Sequence, residues 1–227
     1  MTDTESQLYR RWILANAWAE AAGLGTTFVV GRAVAPLLDS SIGAILMGAG
    51  AAIVLGTLLE GTLLGAAQAR VLRQALPDVS ARSWTSATML GAAIAWSLGM
   101  VPSTLAALST SPGLQPAPIE PPVLVQYSLA AALGLITGPI LGAAQYRVLR
   151  GYVDNAGWWL VANAVAWALG MVAIFVGMDL VPWERGGLLV AASEYAVCAA
   201  SGAAVGSIHG HVLVRLLRRR IQSGAVA

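Results

Sequence analysis

Leu64-Gly-Ala-Ala-Gln-Ala-Arg-Val-Leu-Arg73 recurs as Leu141-Gly-Ala-Ala-Gln-Tyr-Arg-Val-Leu-Arg150, with nine of ten positions identical. A looser third copy runs Gly206-Ser-Ile-His-Gly-His-Val-Leu213. There His209 stands where the other copies have Gln68 and Gln145, and His211 where they have Arg70 and Arg147. Each copy also keeps a glycine four residues earlier, giving Gly61 with Gly65, Gly138 with Gly142, and Gly202 with Gly206. A motif that returns at a regular interval marks one structural unit used several times.

The segments between these copies repeat as well. Ala93-Ile-Ala-Trp-Ser-Leu-Gly-Met-Val101 resembles Ala164-Val-Ala-Trp-Ala-Leu-Gly-Met-Val172, and Ala15 to Gly23 resembles Ala162 to Gly170. The alignment sets Glu20 against Trp96 and Trp167, and Glu60 against Thr137 and Ser201. The chain therefore divides into three hairpins, at about residues 8–80, 81–154 and 155–220, within a single domain. Repeats of one orientation predict a pseudo-threefold bundle, an arrangement also used by transporters.

Composition sets the expected surroundings. Of 227 residues, 57% are hydrophobic and 11% charged, with a mean hydropathy of +0.72. A globular chain in water usually carries about 25% charged residues. Six apolar segments run from about Trp12 to Leu37, Ile42 to Val71, Trp84 to Leu108, Val123 to Leu149, Trp158 to Met178 and Gly187 to Leu217. Each is long enough for a bilayer core, which needs about 20 apolar residues. The fold expected is an all-α integral membrane six-helix bundle. Between Ser109 and Pro122 a proline-rich stretch predicts an irregular loop.

All 13 basic residues are arginine. Eleven fall on one side of the six segments, and only Arg32 and Arg185 on the other. The positive-inside rule then places both termini in the cytoplasm, in the cytoplasmic (inner) membrane of a bacterium. Trp12, Trp84, Trp158 and Trp159 read as markers of the inner interface. The scattered arginines do not form a nucleic-acid footprint. Cys198 is the only cysteine, so no intrachain disulfide forms.

The repeated Gly-x-x-x-Gly-x-x-Gln-x-x-x-Leu-Arg pattern, with its Trp- and Asn/Ala-rich partner segments, resembles an uncharacterised family of multi-span bacterial membrane proteins. The resemblance implies architecture and carries no functional residue with it. In the third copy histidine replaces glutamine.

Ionisable residues in apolar segments are costly and therefore candidates for function. Glu20 and Glu60 sit at similar depth in the first hairpin and form a candidate cation- or proton-coupling pair, with Asn16 and Asn163 as hydrogen-bond partners. Glu194 lies nearer the opposite end, where water can reach it. Gln68, Gln145 and His209 are expected to form a ring of interhelical hydrogen bonds fixing the even segments. Arg70, Arg147 and His211 anchor the interface or line a vestibule. Small-residue series at Gly134, Gly138 and Gly142, and at Gly202, Gly206 and Gly210, pack helices closely or present a face to a homo-oligomer or membrane-complex partner. His209 and His211 lie on different helix faces, so no metal site is expected, although one histidine could ligate a tetrapyrrole. There is no phosphate-binding loop, no His-Glu-x-x-His helix and no nucleophile triad, so the chain is not expected to be an enzyme. Two functions remain open. One is a small-solute, ion- or proton-coupled transporter or channel. The other is a non-catalytic auxiliary subunit of a membrane complex that holds a pigment or lipid; no particular cofactor is indicated.

Overall fold

The computed structural model describes residues 1–38, 41–109 and 121–222. The proline-rich loop expected between Ser109 and Pro122 falls largely outside the described residues. Among those residues six long helices account for the architecture: α1 (Asp3–Leu37), α2 (Ile42–Ala75), α3 (Ala81–Ser109), α4 (Val123–Leu149), α5 (Trp158–Asp179) and α6 (Gly187–Gln222). Consecutive helices pack side by side, and α6 closes the ring against α1.

Local chemistry fixes the helix ends. Thr2 caps α1 in a reciprocal box with Glu5, and the Ser41 hydroxyl accepts from the Ala44 N–H at the start of α2. At the turn before α6, Gly186 and Gly187 adopt φ of 57° and 58°, a region where a side chain is strained. Two helices of the first hairpin are not uniform. A π-helical turn spans Ala21–Gly25 in α1, and a second spans Gly56–Glu60 in α2.

The glycine series are filled from within the chain. A Cβ on Gly134 or Gly138 would collide with the backbone of Trp167 or Asn163 on α5. On Gly202 or Gly206 it would meet Asn16 of α1, and on Gly210 the rings of Tyr9 and Trp12. These glycines let α4 approach α5, and α6 approach α1, at backbone distance. The expected homo-oligomer or membrane-complex face through Gly134, Gly138, Gly142, Gly202, Gly206 and Gly210 is corrected accordingly. The chain's own helices occupy those faces, and the auxiliary-subunit reading built on them is not retained.

Polar side chains lie inside. Asn16, Glu20, Glu60, Gln68, Gln145, Asn163, Glu194, Ser201 and His209 are all buried. Large apolar side chains such as Leu46, Met47, Leu105 and Leu129 are exposed, and by length and composition the six helices could cross a membrane. The expectation of an integral membrane bundle rests on those apolar lengths. It is corrected to an all-α six-helix bundle organised around a buried polar and charged core, held by side-chain hydrogen bonds, an ion pair and packed aromatic rings. The lipid-bilayer partner and the inner-membrane placement with cytoplasmic termini rest on the same lengths and are withdrawn with it.

Gly134→Leu should test the close packing. Forcing a branched side chain against the Trp167 carbonyl should cost about 1–3 kcal/mol or more. Gly31→Ala, where an added Cβ meets nothing within 4 Å, should be nearly neutral. Thermal unfolding of both variants compares the two.

Candidate functional site

Three tryptophans meet at the centre of the bundle. Trp12, Trp84 and Trp159 are each 0% exposed. Their ring centroids lie 6.4, 5.9 and 5.9 Å apart in edge-to-face pairs. Such pairs contribute about 0.5–1.5 kcal/mol beyond area burial. Of the four tryptophans expected at the inner interface, only Trp158 is exposed. The other three form the inner core, above Leu72, Leu149 and Leu213.

The polar ring sits on this triad and follows one rule. In each odd helix, the side chain four residues after the tryptophan donates back to the tryptophan carbonyl: Asn16 Nδ2 to Trp12 at 2.8 Å, Thr88 Oγ1 to Trp84 at 3.0 Å, and Asn163 Nδ2 to Trp159 at 2.8 Å. Each even helix inserts one side chain between two odd helices. Gln68 Oε1 accepts from Trp84 Nε1 at 3.1 Å, and its Nε2 donates to Asn16 Oδ1 at 2.9 Å. Gln145 Oε1 accepts from Trp159 Nε1 at 3.0 Å, and its Nε2 donates to Thr88 Oγ1 at 2.9 Å. Gln145 Nε2 also reaches Gln68 Oε1 at 2.9 Å. The ring thus joins even helices to odd ones, a broader role than fixing the even segments alone.

His209 takes the third position, stacked on Trp159 at 5.0 Å between centroids. Its two ring nitrogens, Trp12 Nε1 and Asn163 Oδ1 are all buried without a hydrogen-bond partner. These are the atoms that a glutamine at this position would join by analogy with its two counterparts. Burial pushes the imidazole pKa down to about 3, keeping it neutral. Enclosed this way, His209 has no room to ligate a tetrapyrrole. His211, Arg70 and Arg147 are exposed, and Arg70 lines a surface pocket with Arg11 and Gln74. The polar ring, hydrogen-bonded at two of its three joints, and the tryptophan triad fill the bundle centre. The buried hydrogen-bonded network overturns the transporter or channel reading, which rested on the parallel repeats and the acidic pair of the first hairpin.

The ring also corrects the repeat alignment. Gly61, Gly138 and Gly202 face Ala92, Trp167 and Glu20 respectively. Glu20 therefore corresponds to Ala92 in α3, and Trp96 lies one helical turn further on. Two tryptophans at different intervals from the ring, Trp96 and Trp167, had masked the offset.

Beyond the ring the first hairpin departs from its counterparts. Glu20 is 1% exposed and neither carboxyl oxygen has a partner. Glu60 is 5% exposed and accepts from Trp96 Nε1 at 2.8 Å through Oε2. The π turns bring them together, with the Gly23 backbone directly against Glu60 and Gly56 against the Trp96 ring. Burial and then the Glu60 charge raise Glu20 well above the usual carboxyl range. Burial also raises Glu60, with the Trp96 hydrogen bond opposing. Asn16 and Asn163 are not their partners, because both serve the ring. Glu194 is 2% exposed and is held by Arg32, with Nη2 to Oε2 at 3.1 Å, so it is not the water-exposed group expected.

A cavity of about 300 Å³ opens beside Glu60. Phe28, Trp96, Trp167, Met171, Ile174 and Phe175 are among its walls, with Thr137 and Ser103 as hydroxyl groups. No local sequence pattern marks it, because its walls come from five helices. Among the described residues no three of His, Cys, Asp and Glu come together as metal ligands.

No family model matches the sequence, and no curated protein or solved structure matches it either. The resemblance to a multi-span bacterial membrane family is corrected on that finding. The repeated glycines and glutamines that carried it are explained here by helix packing and the buried ring.

Two predictions concern this region. His209→Gln should be more stable than the near-isosteric His209→Met by about 1–3 kcal/mol, because only glutamine satisfies Trp12 and Asn163; chemical denaturation measures the gap. The raised carboxyls mean the folded state binds more protons than the unfolded one, so their contribution to stability falls as pH rises above the ordinary carboxyl range. Relative to wild type, Glu20→Gln/Glu60→Gln should therefore gain melting temperature as pH rises from about 5 to 8. A difference that stays flat with pH would contradict the raised values.

Proposed function

We propose that the protein is a non-catalytic binding protein for a small, largely apolar molecule, seated in the cavity beside Glu60. The cavity itself carries the reading. Its volume of about 300 Å³ and its aromatic and aliphatic walls, with a few polar groups, have the character of small-molecule sites. The polar ring and the tryptophan triad pack beneath the helices that line it.

The available hydroxyls support a binding role over a chemical one. Ser103 Oγ donates to the Met100 carbonyl at 3.1 Å, and Thr137 Oγ1 to the Leu133 carbonyl at 2.9 Å. Neither is paired with a base that would activate it as a nucleophile.

The test is a titration of purified full-length protein with 2-phenylethanol, followed by tryptophan fluorescence, since Trp96 and Trp167 form part of the wall. Saturable binding at about 1 mM or tighter is expected. Gly99 lines the cavity, and an added Cβ there meets nothing within 4 Å. Gly99→Phe should fill the space and abolish the signal while keeping the melting temperature at or above that of wild type. Equal binding by Gly99→Phe would place the ligand elsewhere and reject the proposal.

A further inference from the structure

Glu60 lines the cavity, and Glu20 is a second buried carboxyl close enough to feel the Glu60 charge. Arg32 forms an ion pair with Glu194, and Arg218 with Glu5. Neither reaches Glu20 or Glu60. Both oxygens of Glu20 are buried and unpartnered, and Glu60 Oε1 accepts no hydrogen bond among the described residues. A buried acidic pair with no counter-ion is an expensive arrangement unless it holds protons or a bound cation supplies the positive charge in their place.

The walls indicate what kind of charge that is. A small metal cation needs about six oxygen ligands, and the cavity offers few. Aromatic faces at Phe28, Trp96, Trp167 and Phe175 attract an organic cation and accept its apolar body. Trp96 joins the two features, since its ring forms part of the wall and its N–H orients the Glu60 carboxylate.

We infer that the cavity takes an organic ammonium ion with an aromatic or aliphatic body, its charge seated on Glu60 with Glu20 behind it. The inference rests on the reading of this cavity as a ligand site and adds the charge class of the ligand. Glu60 is the contacting group, and Glu20, reached through the π turns, acts as a positioning residue.

The experiment compares 2-phenylethylamine, cationic at pH 7, with its neutral counterpart 2-phenylethanol, by calorimetry on full-length protein. Gly99→Phe serves as the blocked control. The amine is expected to bind wild type at least tenfold more tightly than the alcohol. Glu60→Gln should lower amine affinity at least tenfold more than alcohol affinity. Equal affinities in wild type would overturn the inference and leave the cavity reading standing. Binding of neither compound, or binding that persists in Gly99→Phe, would overturn both. Should Glu60→Gln fail to fold, the wild-type amine-to-alcohol ratio still decides the matter.

Discussion

An indole N–H buried in a protein needs an acceptor, and this bundle brings three of them to one point. The edge-to-face contacts among Trp12, Trp84 and Trp159 hold their rings at the centre. Gln68 and Gln145 then receive two of the N–H groups and pass a hydrogen bond to the next helix. Each glutamine amide has an accepting oxygen and a donating NH2 group, so it couples two neighbours with both its oxygen and its nitrogen engaged. The close glycine contacts at Gly142 and Gly206 let the helices approach at Asn163 and Asn16, the level of that core.

The first hairpin is where regularity is given up. Its two helices contain the π turns, and they carry Glu20 and Glu60 where the other hairpins have neutral residues. A π turn shifts the following side chains around the helix and is frequent at functional sites. Here the two turns lie against each other at Gly23 and Glu60. Irregular backbone, uncompensated acid and the cavity thus coincide in one place.

Much of this was legible in the sequence, and the failures have physical causes. The repeated Leu-Gly-Ala-Ala-Gln segments identified the helices and singled out Gln68, Gln145 and His209, since hydrogen-bonding positions repeat with the unit they stabilise. The tryptophans were misplaced because an apolar ring with one polar atom reads equally well as an interface anchor or as a core residue. Glycine spacing reported close helix approach but could not say which helix approached. Glu194 looked solvent-facing because its partner, Arg32, lies 162 positions away. The cavity is a property of five helices at once, and no local pattern encodes it.

The ring has a direction in time as well as in space. Gln68 and Gln145 each link helices that are neighbours in the chain, so those joints can form as each hairpin appears. The third joint sets His209 of α6 between Asn163 of α5 and Trp12 of α1, and Glu5 near the start of α1 meets Arg218 at 2.7 Å. That seam bridges nearly the whole chain and carries a large loop-closure entropy. During synthesis α1 must therefore wait, one side uncovered, until the last helix emerges. The same seam brings the first and last helices side by side, so the cyclic order of the bundle would survive if the chain were cut at another loop and joined there.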